Sequence, residues 1–179
     1  MLRCSALWAE AHCVVSPCLA RQSRHTRAHP TAVSRLNEYQ NLIKAHALEE
    51  VAPTPGALAL YLTNAKNYLD SSKQIDQSLS MQVFTCAYEG YFQLVQAVLE
   101  FYQVRAKDAG RNLVIQRVSS DLKMSAAEFS LISKAHSRRN ATSYQSPFPP
   151  VSKAEAEALV GILEKYLPEA YKLTGIPLP

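Results

Sequence analysis

One segment, from about Gln77 to Arg105, constrains the fold more than any other part of the chain. Its aromatic and aliphatic residues cover more than half of a helical circumference, which predicts a central helix contacted by several neighbours. Gly90 lies in its middle and costs about 1 kcal/mol in helix propensity, so we expect a second helix to approach closely there. The apolar residues are Leu79, Val83, Phe84, Ala87, Tyr88, Tyr91, Phe92, Val95, Val98, Leu99 and Tyr102.

Shorter amphipathic segments flank this central helix. Thr54 followed by Pro55 is a helix-start signal, and the helix that it opens should run to about Ser72 with apolar residues at three- and four-residue spacing. Further short helices are predicted over residues 31–48 and 113–119. Together these segments predict helices on several sides of the central one.

Two capping boxes mark the start of the last two helices. Ser125 with Glu128, and Ser152 with Glu155, have the serine and glutamate spacing that satisfies free backbone N–H groups at a helix start. The prolines of residues 147–150 must end the first of these helices. In the second, Pro168 predicts a kink or an interruption, and Gly175 and Pro177 predict the end.

The composition supports an all-helical domain. The chain has 179 residues, of which 47% are hydrophobic and only 5 are glycine, and runs of Val, Ile and Thr are few. We predict an all-α, up-and-down bundle of four to five helices that forms a single domain over residues 31–179. No apolar run approaches the roughly 18 residues of a transmembrane helix, so the sequence predicts no membrane partner and a cytoplasmic location.

Residues 1–30 differ from the rest of the chain. They carry four arginines against one acid, Glu10, and so hold most of the net charge of +4. We expect this basic segment to lie outside the fold, either as a poorly ordered leader or as the product of a mis-assigned start. It also holds Cys4, Cys13 and Cys18, whose spacing matches no paired Cys-x-x-Cys arrangement. The sequence therefore predicts no metal and no cofactor.

The candidate site lies in the stretch 135–144. On a helix, His136, Arg139 and Asn140 share a face, and Tyr144 lies four residues beyond Asn140. With Arg138, the stretch gathers the guanidinium, amide, imidazole and phenol groups that can hold a phosphate. The alternative interpretation is that the arginines serve stability alone. Cations at a helix C-terminus interact favourably with the helix dipole, by about 0.3–1 kcal/mol, without any ligand.

Glu89 is a second candidate, since it lies in the middle of the most apolar segment. A carboxylate there either faces a narrow polar strip or pairs inside the protein. Arg138 or Arg139 is the natural partner. A structural ion pair is the simpler interpretation, and a functional role for Glu89 is the alternative.

From about Leu58 to Leu173 the chain resembles the HEPN domains, small helical bundles of prokaryotic toxin, defence and nucleic-acid-processing systems. The resemblance consists of the central helix, the capped helix ending in Arg139-Asn140, the proline-interrupted loop and the last amphipathic helix. In catalytic members, an Arg and a His from two protomers meet at a dimer interface and cleave RNA without metal. Here Tyr144 stands where the family motif has its His, and a tyrosine is a poor general base at neutral pH.

The resemblance implies a homodimer that binds RNA or a nucleotide, belongs to a toxin–antitoxin or defence-type system, and has degenerate or no nuclease activity. Arg139 and Asn140, with Arg138, would contact phosphate, Tyr144 would stack or hydrogen-bond, and Glu89 would orient Arg139. A nucleotidyltransferase-type antitoxin is the implied partner. Two alternatives stay open: a weak metal-independent ribonuclease that uses Arg139 with His136 or Tyr144, and a non-enzymatic module that binds another protein.

Overall fold

The computed structural model of the protein describes residues 32–107, 110–144, 146 and 148–179. Six helices and one two-stranded antiparallel sheet form this described part, which confirms the predicted all-α bundle and exceeds the expected four to five helices. The predicted leader, residues 1–30, lies outside the described residues. In chain order the elements are α1 Ala32–Lys44, β1 Leu48–Glu50, α2 Ala57–Gln74, α3 Ser80–Phe101, β2 Val104–Ala106, α4 Arg111–Asp121, α5 Ala126–Tyr144 and α6 Lys153–Thr174.

Helix α3 is the central element, as its apolar composition predicts. It contacts α2, α4, α5 and α6, and its buried side chains form the middle of the core. A Cβ placed on Gly90 would lie 2.6 Å from Leu163 Cδ2 of α6 and 2.8 Å from Tyr68 Cβ of α2. The close helix approach predicted at Gly90 is therefore confirmed, and it involves two neighbouring helices.

The small sheet is the feature that the helical periodicity missed. Leu48 pairs with Ala106 and Glu50 with Val104, so the predicted helices over 31–48 and 77–105 both end early. Gln103 turns the chain out of α3 with a φ of 57°. Each strand has only three residues, and the paired residues are more than fifty positions apart in the sequence. A local sequence pattern therefore cannot predict this pairing.

The predicted helix starts are confirmed at both capping boxes. Glu128 N–H donates to Ser125 Oγ at 3.3 Å, and Ser125 N–H donates back to Glu128 Oε2 at 3.1 Å. The corresponding distances for Ser152 and Glu155 are 3.2 and 2.8 Å. The predicted start at Thr54-Pro55 is off by two residues, since α2 begins at Ala57.

Helix α6 passes through Pro168 without interruption and ends at Gly175, which has a φ of 72°. The predicted interruption is therefore wrong. Proline removes one helical hydrogen bond, but Leu167 and Ala170 on either side are buried in the core and hold the helix in place. None of the helices in the described ranges combines the length and apolarity that crossing a bilayer requires.

Candidate functional site

The C-terminal half of α5 brings together three of the predicted site residues. His136 and Asn140 are one helical turn apart, and the side-chain amide nitrogen of Asn140 lies 3.2 Å from His136 Nε2. Arg139 lies beside them on the same helix, and all three side chains are partly exposed. The shared face predicted from their spacing is therefore present.

The partner of the other histidine nitrogen comes from α3. Tyr88 is fully buried, and its hydroxyl oxygen lies 2.7 Å from His136 Nδ1. A neutral imidazole offers one donor and one acceptor, and here both nitrogens already have a protein partner. His136 is thus fixed between an aromatic residue of the core and an amide near the surface.

Glu89 follows Tyr88 on α3 and pairs with α5. Its Oε1 lies 3.5 Å from a terminal nitrogen of Arg139, and both side chains are 25% exposed. Of the two arginine partners that the sequence offered for Glu89, the structure selects Arg139. Because solvent reaches a quarter of each side chain, the ion pair contributes little stability by itself.

Arg111, the first residue of α4, completes the group, although it was not among the predicted site residues. Its guanidinium lies 3.8 Å from the centre of the Phe92 ring, a cation–π contact. Its positive charge also acts on the Tyr88 hydroxyl and on His136. No local signal predicted this position, because the packing of α4 against α3 decides it. We name these six residues the His136 cluster: Tyr88, Glu89, Arg111, His136, Arg139 and Asn140.

The surroundings of the cluster keep His136 and Tyr88 neutral. Partial burial lowers the pKa of His136, and the charges of Arg111 and Arg139 lower it further. Burial raises the pKa of the Tyr88 hydroxyl, with Arg111 opposing that effect. At neutral pH the cluster therefore holds an uncharged imidazole and phenol beside two permanent cations and one carboxylate.

Arg138 has a different environment from its neighbour Arg139. Its guanidinium donates hydrogen bonds to the backbone oxygens of Pro149 and Pro150, the latter at 2.9 Å. These bonds tie α5 to the proline-rich segment before α6. Arg138 thus positions that segment in this structure, whereas the sequence had grouped it with the binding residues.

Tyr144, the residue at the position of the family histidine, ends α5. Its side chain lies outside the described residues, so its predicted role stays a prediction. Among the described residues, no three His, Cys, Asp or Glu side chains are grouped closely enough to hold a metal ion. The chemistry of the cluster comes from its arginines, its histidine and its amide.

Comparison with known proteins assigns no family. The chain matches no family model, and a search of curated proteins finds no significant relative.

Proposed function

We propose that the chain is a HEPN-like domain that binds RNA or a nucleotide through the His136 cluster, with degenerate or no nuclease activity. The observation that carries the proposal is the approach of two arginines from different helices to one neutral histidine. Arg139 pairs with Glu89 of α3 at 3.5 Å, and Arg111 lies 3.8 Å from the centre of the Phe92 ring, one turn further along α3. Partial burial lowers the pKa of His136, and the charges of both arginines lower it further. Convergent guanidinium groups at a partly exposed site are suited to phosphate, whose oxygens accept their forked hydrogen bonds.

The polar residues around the arginines support a phosphate ligand. Asn140 presents an amide beside His136 and supplies a further hydrogen-bonding group at the surface. Glu89 already binds Arg139 through a carboxylate oxygen, the same kind of acceptor that a phosphate offers. An anionic ligand therefore finds groups that are ordered before it arrives, which lowers the entropy cost of binding.

Binding is favoured over cleavage by the state of His136. A general base needs a nitrogen within reach of the proton that it takes, and both nitrogens of His136 have protein partners. Weak metal-independent ribonuclease activity is the second candidate. Its support is the lowered pKa of His136, which leaves the imidazole unprotonated at neutral pH, so a rearrangement of Asn140 would free a basic nitrogen.

The resemblance to HEPN domains supplies the wider context of the proposal. In that context the protein acts as a cytoplasmic homodimer, with Arg139 of both copies in one shared cleft, and pairs with a nucleotidyltransferase-type antitoxin. The competing function is a helical module that binds another protein without RNA. A monomer whose Arg139 side faces open solvent would favour that competing function.

The test is an RNA-binding and cleavage assay on the full chain with EDTA present, beside the Arg139→Ala variant. We expect saturable RNA binding by the parent, at least tenfold weaker binding by the variant, and no efficient cleavage by either. Cleavage by the parent alone would establish the ribonuclease. RNA binding by neither protein would contradict the proposal and direct attention to a protein partner.

A further inference from the structure

Arg111 and Arg139 differ in how their charges are balanced. Arg139 pairs with Glu89 on α3. No carboxylate of the described residues pairs with Arg111, whose guanidinium instead lies 3.8 Å from the centre of the Phe92 ring. The cluster therefore has one arginine that is paired with an internal anion and one that is not.

We propose that Arg111 is the primary anion-binding residue of the cluster, and that Glu89 is an internal competitor of the ligand. When phosphate binds, it replaces Glu89 as the partner of Arg139. This inference rests on the proposed function and adds to it an assigned residue and a form of regulation. Arg111 was not among the predicted site residues. The family resemblance implied a different role for Glu89, that of orienting Arg139 for the ligand.

The position of Arg111 suits a first contact. The Phe92 ring beneath its guanidinium is almost completely buried, so this support belongs to the core. Arg111, the first residue of α4, is partly exposed. A cation held by rigid groups loses little conformational freedom when an anion binds.

The second contact requires an exchange of partners at Arg139. A phosphate near His136 would lie close to Glu89, and the two negative charges would repel each other. The Arg139–Glu89 distance of 3.5 Å and the 25% exposure of both side chains indicate an ion pair that is weakened by solvent and easily exchanged. Phosphate can accept two hydrogen bonds from the same guanidinium, which favours the exchange.

The experiment measures the binding of a short fluorescent single-stranded RNA to the full chain at low salt. The variants are R111Q, R139Q, E89Q and the control R105Q, which removes one exposed arginine from β2. We expect R111Q to weaken binding about tenfold and to reduce the salt dependence by about one phosphate contact. E89Q should strengthen binding several-fold, and R105Q should leave it nearly unchanged.

A binding-independent measurement accompanies these titrations. Because the charge of Arg111 lowers the pKa of His136, R111Q should raise that pKa in an NMR titration of the imidazole, whereas R105Q should not. An unchanged histidine titration in a folded R111Q protein would contradict the placement of Arg111 in the cluster. Pyrophosphate serves as a second probe. Its binding tests whether the cluster binds a phosphate anion, independently of whether it recognises RNA.

The outcomes distinguish the two proposals. Normal RNA binding by R111Q with weakened binding by R139Q would keep the proposed function and overturn the role of Arg111. Weaker binding by E89Q would show that Glu89 orients Arg139 and would overturn the competition. Pyrophosphate binding that depends on Arg111, without RNA binding, would support the anion site and refute RNA as its ligand. Binding of neither probe would overturn both proposals.

Discussion

Helix α5 carries one group of polar residues near its start and another towards its end. The two groups differ in how their charges are balanced. Near its start, Glu128 accepts hydrogen bonds from Ser125 and Lys165 and, at 2.7 Å, from Tyr166 Oη. We name these four residues the Glu128 network. Near its end, the His136 cluster places one arginine against a carboxylate and a second arginine against an aromatic ring, beside a neutral imidazole.

The difference lies in how completely each group satisfies its charges. In the Glu128 network one carboxylate has several donors, and they lower the pKa of Glu128 to about 2, the contact with Lys165 first. Those contacts hold the start of α5 against α6. They also supply the Glu128 carboxylate with hydrogen-bond donors from within the protein. In the His136 cluster, partial burial and then the charges of Arg111 and Arg139 lower the pKa of His136. We therefore propose the His136 cluster, with two arginines and one carboxylate, as the binding site, and we assign a structural role to the Glu128 network.

The largest expected effect is that of removing the Tyr88 hydroxyl. Tyr88→Phe deletes a partly buried hydrogen bond to His136 and should lower the free energy of unfolding by about 2 kcal/mol, because a partly buried histidine nitrogen is left without its partner. Denaturant unfolding measures the loss, and the imidazole signals of His136 should shift. Tyr166→Phe is the matched control and should cost about 1 kcal/mol, since Glu128 keeps other donors. Equal losses for the two variants would contradict the distinction between the groups.

The next effect tests the structural assignment of the Glu128 network. Ser125→Ala removes the N-cap of α5 and should cost about 1 kcal/mol of stability without altering RNA binding. Thermal unfolding and the RNA titration check both parts. Ser137→Ala, on an exposed position of the same helix, should change stability by less than about 0.5 kcal/mol. Weakened RNA binding by Ser125→Ala would show that the two ends of α5 are coupled.

The two groups should also lose stability in different pH windows. The folded pKa of Glu128, about 2, lies below its ordinary 4.5, so its stabilising contribution is complete above pH 4.5 and disappears as the pH falls towards 2. The folded pKa of His136 lies below its ordinary 6.5, so protonation of the unfolded chain begins to reduce stability as the pH falls through 6.5.

Unfolding curves of the parent, Glu128→Gln and His136→Gln across this pH range separate the two contributions. The difference between parent and Glu128→Gln should stay constant above pH 4.5 and vanish near 2. The His136→Gln variant should lack the change that begins at 6.5. A histidine variant that keeps the parent's pH dependence near 6 would show that His136 is not held neutral by the cluster.

The smallest expected effect on stability is that of Arg139→Ala. Its ion pair with Glu89 is partly exposed, so the loss should stay below about 1 kcal/mol, while RNA binding falls. Lys165→Ala is the counterpart in the Glu128 network and should leave RNA binding unchanged. Thermal unfolding and fluorescence anisotropy of the same samples give both values. A large loss of stability for Arg139→Ala with unchanged RNA binding would make Arg139 structural.

The features of this comparison that depend on short spacings within one helix could be predicted from the sequence. The capping box fixes Ser125 and Glu128 through a three-residue spacing, and the face shared by His136 and Asn140 follows from a spacing of four. The pairing of Glu89 with an arginine of α5 followed from the cost of burying a lone carboxylate.

What the sequence missed depends on tertiary packing. Tyr88 was predicted only as a core residue, although its buried hydroxyl needs a partner and finds His136. Arg111 lies more than twenty residues from either neighbour in the cluster, so only the packing of α4 on α3 reveals it. Arg138 and Arg139 are adjacent in sequence, but the helix turns them towards different surroundings.

The most direct test of the central claim, that the His136 cluster and not the Glu128 network binds RNA, is an NMR titration of the full chain with a short single-stranded RNA. The account predicts saturable shifts of the His136 imidazole and the Asn140 side-chain amide, with the signals of Tyr166 and Lys165 unchanged. Shifts confined to another surface, or none at any RNA concentration, would contradict it.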